Sequence, residues 1–237
     1  MTTQTLAGDP SGTPTSTPTS NPTSNPTSTP TSTPTPAILL CDPRVAAVAV
    51  RESGEPLVRL LRHLSPTRER VRRGLADRLA LAATRLPAGI GLRVVEGHRS
   101  LVDQAAVVAS YSAQLRALHP DLDEVALRVL TSRFVSPVEV APHVAGAAVD
   151  LTLVDACGDD LDLGTPIDAT PEQSDGRCFT AADGIGADAR AHRDLMAHAL
   201  GGAGLVNYPT EWWHWSYGDR YWALLTGAAS APYGPVR

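Results

Sequence analysis

Three short segments carry side chains whose types and spacing suit chemistry on a metal ion. The first is His143-Val144-Ala145-Gly146-Ala147-Ala148-Val149-Asp150. Histidine nitrogen and aspartate oxygen both ligate zinc, at about 2.0–2.2 Å. The two residues can face one cleft if the chain folds back at Gly146. Asp150 stands between Val149 and Leu151, an apolar setting in which an unpaired carboxylate is costly and a metal would offset that cost. On spacing alone a second reading stands beside this one: a surface histidine, and an aspartate paired with one of the many arginines.

The second segment is Glu211-Trp212-Trp213-His214-Trp215, with three tryptophans in five residues. A catalytic zinc site needs three protein ligands and an open fourth position. His143, Asp150 and His214 supply three, and Glu211 then serves as the base that takes a proton from water. Strand geometry stands in the way, because residues three apart on a regular strand point to opposite faces. Glu211 and His214 can share a site only if the chain bends or bulges between them. The alternative is a core aromatic strand with a solvated glutamate at its edge. The third segment, Glu96-Gly97-His98-Arg99, lies at a strand end, where functional groups tend to lie. Arg99 there either stabilises negative charge developing on a carbonyl oxygen or pairs with Glu96 on the surface. His63, His119, His192 and His198 sit among Arg and Ala on helices or helix ends and read as solvated histidines.

These groups need elements to hold them. Ser65-Pro66 predicts a helix start, a hydroxyl cap followed by proline, with apolar residues recurring at Val71, Leu75, Leu79, Ala82 and Leu86. Pro87 and Gly89 end it, and residues 90–95 read as a strand. Ser100 with Asp103 resembles a capping box and opens a helix toward His119-Pro120. Asp123 and Glu124 start another. Residues 147–154 read as a strand, 155–187 as a long loop, 188–200 as a helix ending at Gly201-Gly202, and 211–217 as an aromatic strand. A loop of that length inside a compact domain usually has a job. The pattern is α+β: one domain with a small mixed or antiparallel sheet flanked by helices.

The 237 residues carry a formal net charge of -5, and every positive side chain is arginine. Basic residues are outnumbered and form no tract, so no nucleic-acid partner is expected. Residues 1–36 contain no aromatic residue and repeat proline every fourth position from Pro14 to Pro34. Such a segment has no apolar surface to offset the entropy of ordering it and reads as a disordered tail. The remainder, 37–237, is expected to be the folded domain, beginning at the apolar run Ala37-Ile38-Leu39-Leu40. Three cysteines (Cys41, Cys157, Cys178), an odd number without CxxC spacing, read as free thiols, with a single disulfide left open. No basic-then-apolar leader and no stretch near 20 apolar residues is present. The expectation is a cytoplasmic protein with no membrane partner; the oligomeric state stays open.

Taken together, the three segments resemble the zinc D,D-peptidases of the VanX/VanY type. That family's pattern is Ser-x-His-x-x-Gly-x-Ala-x-Asp, followed later by Glu-x-Trp-His, with an arginine motif upstream. His143, Gly146, Ala148 and Asp150 fit the first part, and Glu211, Trp213 and His214 the second. Asp150-Leu151-Thr152-Leu153 is also similar, and Gly164-Thr165-Pro166-Ile167-Asp168 resembles the D-Ala-D-Ala dipeptidase branch. The resemblance runs over about residues 38–225. It departs in two places. Ala141 stands where the family has serine, and the arginine motif, usually Asp-Gly-Tyr-Arg-Pro, is Glu96-Gly97-His98-Arg99-Ser100.

The resemblance implies a zinc D,D-peptidase (hedgehog-like) fold and hydrolysis of the dipeptide D-alanyl-D-alanine, with one zinc held by His143, Asp150 and His214. It implies Glu211 as proton shuttle and Arg99 as oxyanion stabiliser. Reading the free ammonium of a small dipeptide substrate falls to a fixed carboxylate, for which Asp168 is the candidate. The alternatives are a D,D-carboxypeptidase acting on cell-wall peptides and a non-catalytic zinc-binding module of the same fold.

Overall fold

A computed structural model describes residues 37–236. The expected tail, residues 1–36, lies outside the described residues. In chain order the elements are α1 (Pro43–Ala47), β1 (Leu57–Arg59), β2 (Arg70–Arg72), α2 (Arg73–Ala83), β3 (Gly91–Glu96), α3 (Leu101–Leu118), α4 (Glu124–Thr131), β4 (Ala148–Val154), α5 (Pro171–Ser174), α6 (Ala187–Gly202), β5 (Val206–Asn207), β6 (His214–Ser216) and α7 (Arg220–Thr226). The main sheet has the order β3-β4-β6-β5 with every pair antiparallel, and β1 and β2 form a separate hairpin. This is the expected α+β arrangement, and its small sheet is antiparallel.

Strand alternation divides the sheet into a core side and a site side. Val149, Leu151 and Leu153 of β4 and Trp215 of β6 pack in one cluster with Leu75 and Leu79 of α2 and Met196 and Leu200 of α6. Residues two apart share a face, so Asp150 faces away from that cluster. Asp150 and His214 are direct cross-strand partners, as are Val149 and Trp215. Directly opposite residues have Cβ atoms about 4.5–5.5 Å apart, so the pairing register alone brings the carboxylate to the imidazole.

The caps expected at Ser100 and Asp123 are present. Ser100 Oγ accepts from the Asp103 N–H at 3.1 Å, and Asp123 accepts from Ala126 at 2.8 Å. The helix expected from Ser65 is not there. Ser65 Oγ instead accepts from the Glu69 N–H in a turn, Val71 pairs with Val58 across the β1–β2 hairpin, and the helix starts at Arg73. The aromatic strand is also shorter than expected, because residues 211–213 form a turn before β6 begins at His214. The long loop contains one short helix, α5, closed by a capping box between Thr170 and Gln173. Arg193 of α6 fastens that loop. Its guanidinium is buried and donates to the carbonyls of Leu163, Arg177 and Phe179. Helix α6 runs through Gly201 and Gly202 before it stops. All three cysteines are free, and no helix among the described residues is long and apolar enough to cross a membrane.

Candidate metal centre

His143 enters the site from a single 3₁₀ turn, His143–Ala145, that stops at Gly146 in the left-handed conformation (φ 63°). This is the fold-back that the sequence requires between His143 and Asp150. A Cβ at Gly146 would lie 2.4 Å from Leu57 Cδ2 as well as carrying the positive φ. Gly146→Ala is therefore expected to destabilise the protein by about 1–3 kcal/mol, read as a lower midpoint in denaturant.

Behind this turn runs the loop that follows β3. His143 Nδ1–H donates to the Gly97 carbonyl at 2.7 Å, and the Arg99 N–H donates to the His143 carbonyl at 3.2 Å. Gly97 is required here by crowding, since a Cβ would meet the Arg70 carbonyl oxygen at 2.7 Å. The hydrogen bond to Gly97 fixes the His143 tautomer and leaves the Nε2 lone pair facing the sheet.

Three electron-pair donors converge there. His143 Nε2 is 3.1 Å from His214 Nδ1, His214 Nδ1 is 3.0 Å from Asp150 Oδ1, and His143 Nε2 is 3.4 Å from Asp150 Oδ2. All three residues are buried. Tetrahedral ligands about 2.0–2.1 Å from zinc lie roughly 3.3 Å from one another, and these contacts, made through both Asp150 oxygens, are close to that length. His143 has committed its proton to Gly97, and a cation is the natural partner for what remains. The His143, Asp150 and His214 set therefore fits zinc in ligand type and spacing. Burial alone would raise the Asp150 carboxyl, but His143 and His214 outweigh it and hold the group well below the usual carboxylate range.

Glu211 reaches the same place because the chain turns. The His214 N–H donates to the Glu211 carbonyl at 3.3 Å, and the Asn207 side-chain amide donates to the carbonyls of both Glu211 and His214 at 3.0 Å. The turn puts Glu211 Oε2 3.8 Å from His214 Nδ1, beside the ligand triangle. Glu211 is buried, and its carboxyl is pushed well above the usual range by burial first and then by the charges of Asp150 and Asp168.

The ligand triangle, Glu211, Arg99 and Asp168 all line one cavity of about 280 Å³. Arg99 is paired with Glu96 through both carboxylate oxygens, and its Nη1 donates to Gln104 Oε1 at 2.9 Å. Arg99 thus pairs with Glu96, as one reading expected, and it also lines the cavity. A guanidinium has five N–H bonds, so two remain for a ligand. Asp168 has a left-handed backbone (φ 62°) and a carboxyl pushed up to about 6, by burial first and then by Asp150 and Glu96. Trp212, Trp213 and Trp215 all pack in the main core cluster, and Trp213 also lines the cavity.

Sequence reading missed seven residues of the cavity wall, the apolar Val107, Phe134 and Val135 and four others. Gln104, buried, holds Arg99 and donates to the Ser136 carbonyl at 2.8 Å. Tyr208 stacks edge-on against His214 at 6.0 Å between ring centroids. Leu40 and Ser136 complete the group. Gln104 carried a faint signal, one turn into a helix that begins directly after Arg99; the other three carried none.

The family profile described as D-ala-D-ala dipeptidase (Peptidase_M15) matches residues 70–226. A D-alanyl-D-alanine dipeptidase of Synechocystis sp. is 33% identical over 95 residues, which is 37% of this chain and 38% of that protein's length. Among solved structures, a mutant of the vancomycin-resistance D,D-pentapeptidase VanY from a VanB-type cassette, in complex with Zn(II), matches at TM-score 0.42 and 15% identity, covering 77% of this chain and 92% of that one. VanYB in complex with D-alanine-D-alanine matches at TM-score 0.42 and 17% identity, covering 73% and 84%.

Proposed function

The chain belongs to the D-Ala-D-Ala dipeptidase family, and we propose that it is a zinc-dependent peptidase that hydrolyses the dipeptide D-alanyl-D-alanine to two D-alanines. The observation that carries this reading is the placing of the His143, Asp150, His214 triangle beside Glu211 in one small cavity. At about 280 Å³ that cavity falls just below the roughly 300–1,000 Å³ of drug-sized ligand sites, which favours a very short substrate.

His143, Asp150 and His214 would hold the metal. Zinc, when bound, supplies a Lewis acid that makes water nucleophilic near neutral pH and polarises the scissile carbonyl. Glu211 accepts the proton of the attacking water and passes it to the leaving amine. Burial raises its affinity for protons, the direction in which enzymes tune a carboxylate that must both take and return a proton. Arg99, its orientation fixed by Glu96 and Gln104, offers its free N–H bonds to the developing oxyanion. Asp168 accepts from the substrate's free ammonium, the group that distinguishes a dipeptide from the end of a longer chain. The proposed location is the cytoplasm, where free dipeptide rather than assembled wall is at hand.

The direct test is purified protein with one equivalent of zinc, incubated with D-Ala-D-Ala, L-Ala-L-Ala and a wall pentapeptide, and scored for released amine. Cleavage of D-Ala-D-Ala above both others is expected. Preference for the pentapeptide would make the protein a carboxypeptidase, and inertness on all three would make it a zinc-binding module. Asp168→Asn is expected to raise KM for D-Ala-D-Ala about tenfold or more, as the loss of a buried partner to a charge costs roughly 1.5–3 kcal/mol. We take residues 37–237 as the catalytic unit, so a chain starting at Ala37 should keep its kcat.

A further inference from the structure

The family match starts at residue 70, yet one wall of the catalytic cavity comes from far upstream of it. Leu40, almost at the start of the described chain, lines the cavity together with the metal ligands. It does not lie there loosely. The Leu40 N–H donates to the Tyr208 hydroxyl at 3.1 Å, and that hydroxyl donates to the Ser132 carbonyl. The Cys41 N–H donates to Ser132 Oγ at 2.9 Å, and the Tyr221 hydroxyl donates to the Ile38 carbonyl at 3.1 Å. Residues 38–41 are thus strapped across Tyr208 and Tyr221, whose rings meet edge-on at 5.4 Å. The Leu40 side chain packs in one cluster with Val140, Tyr208 and Tyr221. Tyr208 in turn stacks on His214, which places this wall next to the ligand triangle.

The charged and metal-ligating groups of the cavity are assigned above to the metal, the base, the oxyanion and the ammonium. A dipeptide also carries side chains, and these must meet apolar surface. Leu40, Val107, Phe134, Val135, Ala141 and Trp213 supply it. Ala141 directly follows Val140, which belongs to the same cluster as Leu40.

We infer that Leu40 is a specificity-determining residue, whose side chain closes the apolar end of the cavity and limits the dipeptide to small side chains such as methyl. The inference rests on the dipeptidase reading and adds to it the residue that sets substrate size. A single methylene of pocket space typically discriminates by about 10–200-fold, and Leu40→Ala removes three carbons.

The experiment compares wild type, Leu40→Ala and the volume-conserving Leu40→Met on D-Ala-D-Ala, D-Ala-D-Leu and D-Leu-D-Ala, with zinc content measured for each. In Leu40→Ala, the ratio of kcat/KM for one of the bulky dipeptides to that for D-Ala-D-Ala should rise about tenfold or more, while Leu40→Met stays near the wild-type ratio. A ratio that moves less than about twofold for both bulky dipeptides, in a Leu40→Ala protein that still binds zinc, overturns the assignment. If Leu40→Ala fails to fold or to hold zinc, Leu40→Val reads the same ratio through a smaller change and is judged by the same criterion. Wild-type protein inert on every dipeptide overturns the dipeptidase reading and this inference with it. A wild type that cleaves them with an unmoved ratio overturns only the role of Leu40.

Discussion

Glu211→Ala should leave zinc content near one per chain and lower kcat for D-Ala-D-Ala by about 10²–10⁴-fold, the usual worth of a positioned general base. The separation of the two effects follows from geometry. The ligand atoms of His143, Asp150 and His214 lie within 4.8 Å of one another, and Glu211 stands outside that triangle, 3.8 Å from His214 Nδ1. Removing it takes away a proton acceptor and leaves the ligands in place. The loss should fall on kcat far more than on KM, because the proton moves in the transition state and the group contributes little to ground-state binding. Metal analysis beside steady-state kinetics tests both parts. An alanine variant emptied of zinc would make Glu211 a ligand, and one that keeps full rate would place the base elsewhere. The carboxylates next in sequence to the His143–Asp150 segment, Glu139 and Asp155, are exposed or partly so and engaged with Arg128 and with the N–H groups of Cys157 and Asp159, and neither lines the cavity.

His214→Ala should behave differently and lose zinc and activity together. His214 supplies one corner of the triangle from a strand position directly opposite Asp150. Its removal breaks the ligand set and also leaves the Asp150 carboxylate with one polar neighbour fewer in a buried setting, where an unpaired charge is strongly unfavourable. Zinc measured after gel filtration should fall well below one per chain, and hydrolysis should reach background. Excess zinc should restore little of it. Stoichiometric zinc surviving in the triple variant of His143, Asp150 and His214 would sink the assignment of all three.

Much of this site was readable in the sequence because its signals are local. The caps at Ser100 and Asp123 act within three residues, and the β4 strand declares itself by composition. The His143-to-Asp150 segment needs only one turn at Gly146. The failures share a different cause. Val71 fits a helical spacing by coincidence, and only the long-range partner Val58 shows that it is a strand residue. Likewise Ser65 can cap either a helix or a turn, and the sequence does not choose between them. The bend that brings Glu211 to His214 depends on the side chain of Asn207, which satisfies two carbonyls that a regular strand would have paired otherwise. Leu40 meets Tyr208 across 168 positions of chain, a distance over which residue spacing carries no message. Local chemistry was legible, and contacts made by folding were not.

The tryptophans have an optical consequence. Three of the four in the chain fall at positions 212, 213 and 215, all buried, with Trp212 and Trp213 edge-on at 5.3 Å between ring centroids. Trp213 forms part of the catalytic wall, and Trp222 stands apart on α7. Excitation energy absorbed by any of the three neighbours can pass to an indole that borders the substrate. The emission of the unlabelled protein should be shifted to the blue and should change in intensity when zinc or a dipeptide enters the cavity. A Trp213→Phe variant should blunt that response. The protein thus carries its own reporter of site occupancy, which allows binding to be titrated without a dye and without turnover.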